Sequence, residues 1–453
     1  MKKKTITLLL AASMLTALLG SCSKKDPAPQ ETSPQTSAEQ TTAGQTDTQP
    51  QTDAATTAAM TEAVTTEAVT TEAATTSEPE TTGEPVTYEV LARNGYVNTF
   101  DITDYGAVGD GVTDCTAAVQ AALDDAGRVE GTVIVPPGKY VVGQLKMHPR
   151  TRLEGDSAWS YHADGGSVFL MKTDETDATC MIDVTGAYGC TITGMSLNGM
   201  YVGQGIHGVY LNWDWYNGGN EEDTPTIEDC RIGRFSGDGI HLKHIWCFSV
   251  RHNMVHMNTG SGLYIDGWDG FILDNWFTGN ANCGIKSDPT GAALTITGNR
   301  IEWNTVAGIW ILNGDILTVT GNFFDRSFGP GLKLGGDNNY TVTGATVTGN
   351  FFRRNGSPDR CEFSSEYESS HIYMRWVENV TVTGNSFKSG VNDAYDGTLS
   401  PNIDIFVGNS KAVSIQSNVM YDGSVEKCIV NLRNKNTVIT GNVTHHEQET
   451  WKE

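Results

Sequence analysis

The sequence predicts an all-β fold: a single-stranded parallel β-helix of about ten coils, entered through one helix. Three observations carry the prediction. First, from residue 191 a phrase recurs in which alternating β-type residues lead to Gly-Asn, one further residue and a large apolar one. It reads Thr297-Gly298-Asn299-Arg300-Ile301, Thr320-Gly321-Asn322-Phe323-Phe324, Thr348-Gly349-Asn350-Phe351-Phe352 and Thr383-Gly384-Asn385-Ser386-Phe387. Weaker copies put Asn253, Asn275, Asn418 and Asn442 at the same point, with successive gaps of 22, 24, 23, 28, 35, 33 and 24 residues. Second, each copy is followed by a Gly-apolar-X-apolar phrase, such as Gly239-Ile240-His241-Leu242 and Gly308-Ile309-Trp310-Ile311. Third, glycine is 50 of 453 residues, well above its usual share of about 7%, which points to a turn-rich chain.

No such unit can bury its own apolar side, whereas units stacked as coils can. Strands of successive coils then pair at about 4.8 Å. Asparagines at one turn position form a hydrogen-bonded ladder, and asparagine tolerates the left-handed backbone that a tight turn needs. A period near 23 also suits leucine-rich repeats, but their leucine pattern is missing.

The elements follow in chain order. Lys2, Lys3 and Lys4 precede an apolar stretch from Thr5 to Leu19, which ends in Leu19-Gly20-Ser21-Cys22. This has the form of an export signal, and it resembles the lipobox of bacterial lipoproteins, which implies lipidation at Cys22 and an exported, membrane-anchored protein. Residues 23–87 are rich in Thr, Glu and Ala and contain no aromatic residue. Such a segment cannot bury enough apolar surface to offset its ordering entropy, so it reads as a disordered stalk. Residues 88–453 hold the β-helix. The net charge is -24, with no basic cluster beyond the first residues, which excludes a nucleic-acid partner. With one long apolar run only, a polytopic membrane protein is excluded as well.

The β-helix opens with Phe100-Asp101-Ile102-Thr103-Asp104-Tyr105-Gly106-Ala107-Val108-Gly109-Asp110-Gly111-Val112-Thr113-Asp114 and an amphipathic helix from Cys115 to Ala126. Gly131-Thr132-Val133-Ile134-Val135-Pro136-Pro137-Gly138-Lys139-Tyr140 and Thr151-Arg152-Leu153-Glu154-Gly155 follow. These residues resemble the N-terminal cap of the pectate lyase superfamily, which includes rhamnogalacturonases, epimerases and phage tailspikes. The resemblance implies a right-handed coil plugged by the helix, a polysaccharide as partner, and the option of a homotrimer. It does not fix the reaction, because this fold hosts several chemistries.

Beyond Cys22, eight cysteines remain. Their even number suggests disulfides in an exported protein. Cys230, Cys247, Cys283 and Cys428, however, recur at comparable repeat positions, where a cysteine serves as a small buried apolar residue. No C-x-x-C pattern points to zinc.

Alternation assigns the faces. With Ile240 and Leu242 inside, His241 and Lys243 point out. Coil by coil, the outward column is Tyr210, His241, Tyr264, Lys286, Trp310, Lys333, Tyr373 and Asp404. Its neighbour is Asn212, Lys243, Asp266, Asp288, Leu312, Gly335, Arg375 and Phe406. Aromatic and charged groups alternating in this way suit sugar rings and their hydroxyls, so His241, Lys243, Tyr264, Lys286, Trp310, Lys333 and Tyr373 are the expected substrate-binding residues. The alternative is that the long turns 356–370 and 390–401 cover them.

Asp266 and Asp288 are expected as stacked neighbours. Paired carboxylates serve glycoside cleavage, and their mutual repulsion raises one pKa. Glu302 and Asp325 form a second adjacent pair. Asp238, in Ser236-Gly237-Asp238-Gly239-Ile240, falls on the catalytic aspartate of the polygalacturonases that this stretch resembles. That family's pattern is then broken at Gly260-Ser261, Cys283 and Trp310-Ile311-Leu312. His241, His244, His252 and His256 lie within two coils and offer a possible metal site, although groove-lining histidines fit a strand segment better.

Three functions are open. The first is a surface glycoside hydrolase with Asp238, Asp266 and Asp288 as acid and base, which needs no cofactor. The second is a polysaccharide lyase in which Asp266 and Asp288 hold Ca²⁺ and Lys286 or Lys243 is the base. The third is a glycan-binding or adhesive protein without catalysis.

Overall fold

The computed structural model describes residues 98–156, 160–161, 163–213, 224–445 and 449–451. The expected signal with Cys22 and the Thr/Glu/Ala-rich segment lie outside these residues. The described chain winds through three parallel sheets in rotation, except in the first coil, where a helix takes the place of the third-sheet strand. The first sheet runs from Thr99–Asp101 to Val438–Thr440, the second from Asp110–Asp114 to Val443–Thr444, and the third from Leu145–Lys146 to Glu449–Trp451. They hold 13, 13 and 12 strands. The fold is the right-handed parallel β-helix that the sequence predicts. It has more coils than the expected ten, because the coils before residue 190 lack the Gly-Asn phrase that marks the later ones.

The helix spans Thr116–Gly127 and closes the first coil. Val119, Ala122, Leu123 and Ala126 are buried on one face with Ile102. The open end of a solenoid would otherwise expose apolar side chains and unpaired strand edges. Inside, like residues stack on like. Phe324 lies 4.5 Å from Phe352, which lies 5.1 Å from Phe387 (ring centroids). In-register pairing produces these stacks: Phe324 is opposite Phe352 and Phe352 opposite Phe387.

The asparagine ladder forms between the first and second sheets. The Asn253 Nδ2 donates to Asn275 Oδ1 at 3.0 Å, and the same link continues from Asn275 to Asn299, Asn322, Asn350, Asn385, Asn418 and Asn442. The left-handed residue is not the asparagine. It is the residue before it: Gly298, Gly321, Gly349 and Gly384 have φ of 70°, 64°, 65° and 63°. Glycine bears this backbone without the steric cost that a Cβ brings. In the weaker copies His252, Asp274 and Ser417 take the same conformation. The sequence reading did not see a second ladder, Asn258–Asn280–Asn304, at the bend between the second and third sheets.

No disulfide forms among the eight described cysteines. Cys230, Cys283 and Cys428 are buried, as their repeat positions suggested, and Cys247 is half-buried.

Candidate active site

The outward row of the third sheet matches the predicted column through seven coils. Tyr210 pairs with His241, His241 with Tyr264, Tyr264 with Lys286, Lys286 with Trp310, Trp310 with Lys333 and Lys333 with Tyr373. Ile240, Leu242, Leu263, Ile265, Ile309 and Ile311 fill the inside and fix this phase. The prediction fails one coil later. Phe406, not Asp404, stands opposite Tyr373, and Gly408 stands opposite Arg375. Ile403, Ile405, Phe406 and Val407 are all apolar and gave no phase to read. Asp404 is buried beside Ser424, whose hydroxyl donates to it at 2.9 Å.

A stack of rings sits in the row. Ring centroids are 5.5 Å apart for His207 and Tyr210, 5.3 Å for Tyr210 and His241, and 4.4 Å for His241 and Tyr264, the last pair only 3° from parallel. Coils about 4.8 Å apart place in-register rings at stacking distance.

Asp238 anchors this stack. Its Oδ2 is 2.8 Å from His241 Nδ1 and 3.4 Å from His207 Nδ1, and its Oδ1 accepts the Ser261 N–H at 2.6 Å. The carboxylate is turned into the wall, so Asp238 orients His241 rather than facing the groove. No hydrogen bond among the described residues engages His241 Nε2. The Asp238 backbone N–H donates to His207 Nδ1 at 3.0 Å, which requires an unprotonated nitrogen there. Burial, then the neighbouring His241, push His207 down to about 4 against the pull of Asp238. His207 is not legible as a site residue in the sequence, because its coil lacks the Gly-Asn phrase. Its one signal is its position at the start of the strand that carries Tyr210.

The Tyr264 hydroxyl donates to the backbone carbonyl of Asp288. Burial first, and then the carboxylates of Asp288, Asp266 and Asp238, push Tyr264 up to about 12. It is therefore a protonated hydroxyl throughout the neutral range.

Asp266 and Asp288 do not form the expected ladder pair. Ile265 pairs with Ser287, but the next registered pair is Gly267 with Gly291. The later strand holds two extra residues there, and the excursion displaces Asp288 from its place in the ladder. Asp266 is 6% exposed. Burial raises its carboxyl pKa and Asp288 adds to the rise, while His244, Lys243 and the Thr290 N–H oppose it. His244 Nε2 lies 3.7 Å from Asp266, and Lys286 Nζ lies 3.2 Å from Asp288.

Lys286 Nζ is 5.5 Å from the Trp310 ring centroid, and Lys333 Nζ is 4.3 Å from the same ring. Lys333 is nevertheless capped. A short turn, Glu366–Glu368, brings Glu368 to 2.9 Å from its Nζ. Tyr373, expected on the surface, is 4% exposed and packs on Phe406 at 5.0 Å, with Tyr367 also stacked on Phe406. The long turn after Asn355 thus covers the end of the predicted strip, and the open row ends at Trp310.

The four-histidine cluster does not exist. His241 and His244 belong to the groove, His252 pairs with Asp229 in a turn, and His256 is fully buried on the second sheet. Glu302 and Asp325 do stand opposite one another, but both are buried and committed to arginines: Glu302 to Arg300, Asp325 to Arg326 and Arg354. His207, Asp238 and His241 bring possible metal-ligand atoms within 4.8 Å of one another, but both Nδ1 atoms are already engaged by Asp238. Ca²⁺ takes oxygen ligands, whereas Asp266 and Asp288 face Lys243, His244 and Lys286. The donor set does not fit Ca²⁺.

Comparisons with known proteins agree with this architecture. The family described as rhamnogalacturonase A/epimerase, pectate lyase-like matches residues 99–332, and the right-handed β-helix region matches residues 287–449. Mannuronan C5-epimerase AlgE1 of Azotobacter vinelandii is 26% identical over 263 residues, which are 52% of this chain and 18% of that protein. The chain thus spans about a fifth of that relative. Among solved structures, the A-module of mannuronan C-5 epimerase AlgE6 of the same organism superposes with a TM-score of 0.54 at 17% identity, covering 77% of this chain and all of the module. DFA-IIIase of Arthrobacter chlorophenolicus A6 superposes with a TM-score of 0.53 at 15% identity, covering 77% of this chain and 99% of that one. At these identities the structural likeness shows the fold.

Proposed function

The chain belongs to the rhamnogalacturonase A/epimerase, pectate lyase-like family, and from that premise we propose that it is an enzyme acting on a uronate-containing polysaccharide by proton transfer at C5 of the sugar. One observation carries this reading: the His241–Tyr264 ring pair, one member oriented by Asp238 and the other held protonated, lies in a row with cations on a chain of net charge -24. An imidazole whose Nδ1 is bound to a carboxylate presents Nε2 as a base. Tyr264 is the matching acid.

The C5–H of a uronate is acidic only when the adjoining carboxylate is neutralised. Lys243 and Lys286 flank the ring pair and supply that charge; no metal is invoked. His241 takes the C5 proton, and the electron pair moves into the lysine-stabilised carboxylate. If Tyr264 then protonates the leaving glycosidic oxygen, the chain is cleaved by elimination. If a proton returns to C5 from the opposite face, the sugar is epimerised, the outcome named for the mannuronan C5-epimerases that the chain resembles. Trp310 offers a ring on which a neighbouring sugar stacks. Lipidation at Cys22 belongs to the same proposal and would present the groove outside the cell.

A second reading, glycoside hydrolysis, is favoured by the raised pKa of Asp266 beside Asp288. One experiment separates the two. Polyuronates are incubated with the full chain in D₂O, and deuterium at C5, ultraviolet absorbance of unsaturated ends and new reducing ends are measured. Deuterium at C5 supports proton transfer with epimerisation, and ultraviolet absorbance, with or without deuterium, supports proton transfer with elimination, whose unsaturated end keeps no hydrogen at C5. Reducing ends with neither signal establish hydrolysis, and binding without any product leaves a glycan-binding protein.

A further inference from the structure

The second sheet carries another strip of aromatic and cationic groups that the groove does not use. In its outward row Trp276 pairs with Arg300, Arg300 with Phe323, and Phe323 with Phe351. The Arg300 guanidinium lies 5.4 Å from the Trp276 ring and 5.1 Å from the Phe323 ring, and its side chain is 54% exposed. Phe323 and Phe351 stack at 5.6 Å, and Tyr161 stacks on Trp276 at 5.6 Å.

The charges here reverse those of the whole molecule. Arg300, Arg326, Arg353, Arg354, Arg360 and Lys388 face four carboxylates, Glu302, Asp325, Asp393 and Asp422, the last opposite Lys388 in the ladder. Glu302 and Asp325 are buried and already satisfied by Arg300, Arg326 and Arg354. Arg353, Arg360 and Lys388 have no ion pair among the described residues. The Arg353 Nε is buried without any hydrogen-bond partner, and Arg360 lies on the Trp303 and Phe328 rings, at 5.2 and 5.1 Å, attracted by Asp393 and Asp325 without an ion pair to either. Guanidiniums left half-buried and unpaired are costly unless an anion completes them.

We propose that this strip is a second glycan site, separate from the groove, that binds an anionic polysaccharide without transforming it. Sugar C–H groups rest along the outward edges of the Trp276, Phe323 and Phe351 stack, and the ligand's carboxylates or sulfates pair with Arg300, Arg353 and Arg360. Four in-register residues at about 4.8 Å per coil give a linear track, whose repeat is comparable to the length of one pyranose. A strip of this kind would hold a long polymer while the groove acts on it.

The test is affinity electrophoresis of the full-length protein through gels containing polygalacturonate, alginate or a neutral dextran. The groove is weakened in every sample by Lys243→Ala/Lys286→Ala, so that differences in retardation between variants report the strip. Arg300→Ala/Phe351→Ala and Arg353→Ala/Arg360→Ala are each expected to lower the apparent affinity for the acidic polymers at least fivefold. In the parent background they should leave turnover of short oligosaccharides unchanged. A single Lys388→Gln or Arg300→Gln, at exposed positions, gives the same readout if a double variant fails to fold. Retardation by acidic polymer equal to that of the parent overturns the proposal, and so does equal retardation by dextran. Sedimentation supplies a third refutation: if the parent is an oligomer that these variants dissociate, the strip is a subunit contact. Since binding is read as a difference between variants on one weakened-groove background, failure of the proton-transfer reading leaves this result intact.

Discussion

Replacing Tyr264 by Phe removes one hydroxyl and little else. The ring remains 4.4 Å from His241 and nearly parallel to it, so stacking and groove shape persist. The lost hydrogen bond, to the Asp288 carbonyl, is half-buried and worth about 1 kcal/mol. For a domain of this size that lowers Tm by about 2–4 °C or less. The catalytic loss should be far larger. A positioned acid contributes about 10²–10⁴-fold, some 3–5 kcal/mol of barrier. The assay is C5 deuterium incorporation and product formation on a polyuronate, with KM and kcat separated. A kcat reduced at least a hundredfold with KM within threefold is expected, because the ring that contacts the sugar is retained. The pH profile supplies a control. Tyr264 is pushed up to about 12, so the parent should show no alkaline limb from this group below that pH. A Tyr264→Phe enzyme that keeps more than a tenth of the parent kcat would refute the assignment of Tyr264 as the acid.

His207 gives a stability signature. Its pKa is held down to about 4 in the fold, against about 6.5 in the unfolded chain. The unfolded state therefore binds the extra proton between these values. Stability is fully present above pH 6.5 and is lost as pH falls towards 4, by about 3 kcal/mol at most; urea melts of His207→Gln should lack this slope. Asn299→Ala removes a side chain that donates to Ile272, Thr297 and Asn322 and accepts two N–H groups of Asn275. Several buried partners are orphaned, and a loss of about 3–5 kcal/mol is expected in denaturant unfolding. Chelator should leave turnover within twofold, whereas Lys286→Ala should raise KM for acidic polymers about tenfold and flatten the salt dependence of kcat/KM.

Much of the fold is legible because its demands are local. A left-handed residue followed by an amide side chain is a two-residue requirement, and Gly298-Asn299 or Gly321-Asn322 states it directly. Which of the two takes the left-handed backbone is not legible, because both residue types tolerate it. The outward row from Tyr210 to Trp310 is legible because its members lie between buried aliphatic residues, Lys286 alone having a buried serine, Ser287, on one side. Where that contrast fails, as at Ile403–Val407, the phase is lost. Asn258, Asn280 and Asn304 went unread because their left-handed neighbours, Met257, Gly279 and Trp303, share no residue type.

The sequence by itself determined the coil, its faces and the groups that point away from the core. Side-chain alternation and turn chemistry act over a few residues and need no distant partner. Only the tertiary structure decided which of those groups work together. The two-residue excursion between Ser287 and Gly291 broke the Asp266–Asp288 ladder, and the turn around Glu368 closed over Lys333 and Tyr373. His207 joined Asp238 and His241 from 31 and 34 residues away. Each of these outcomes depends on how one coil registers on the next, or on where a long loop folds back. Those are long-range packing choices, and no periodicity within a single coil encodes them.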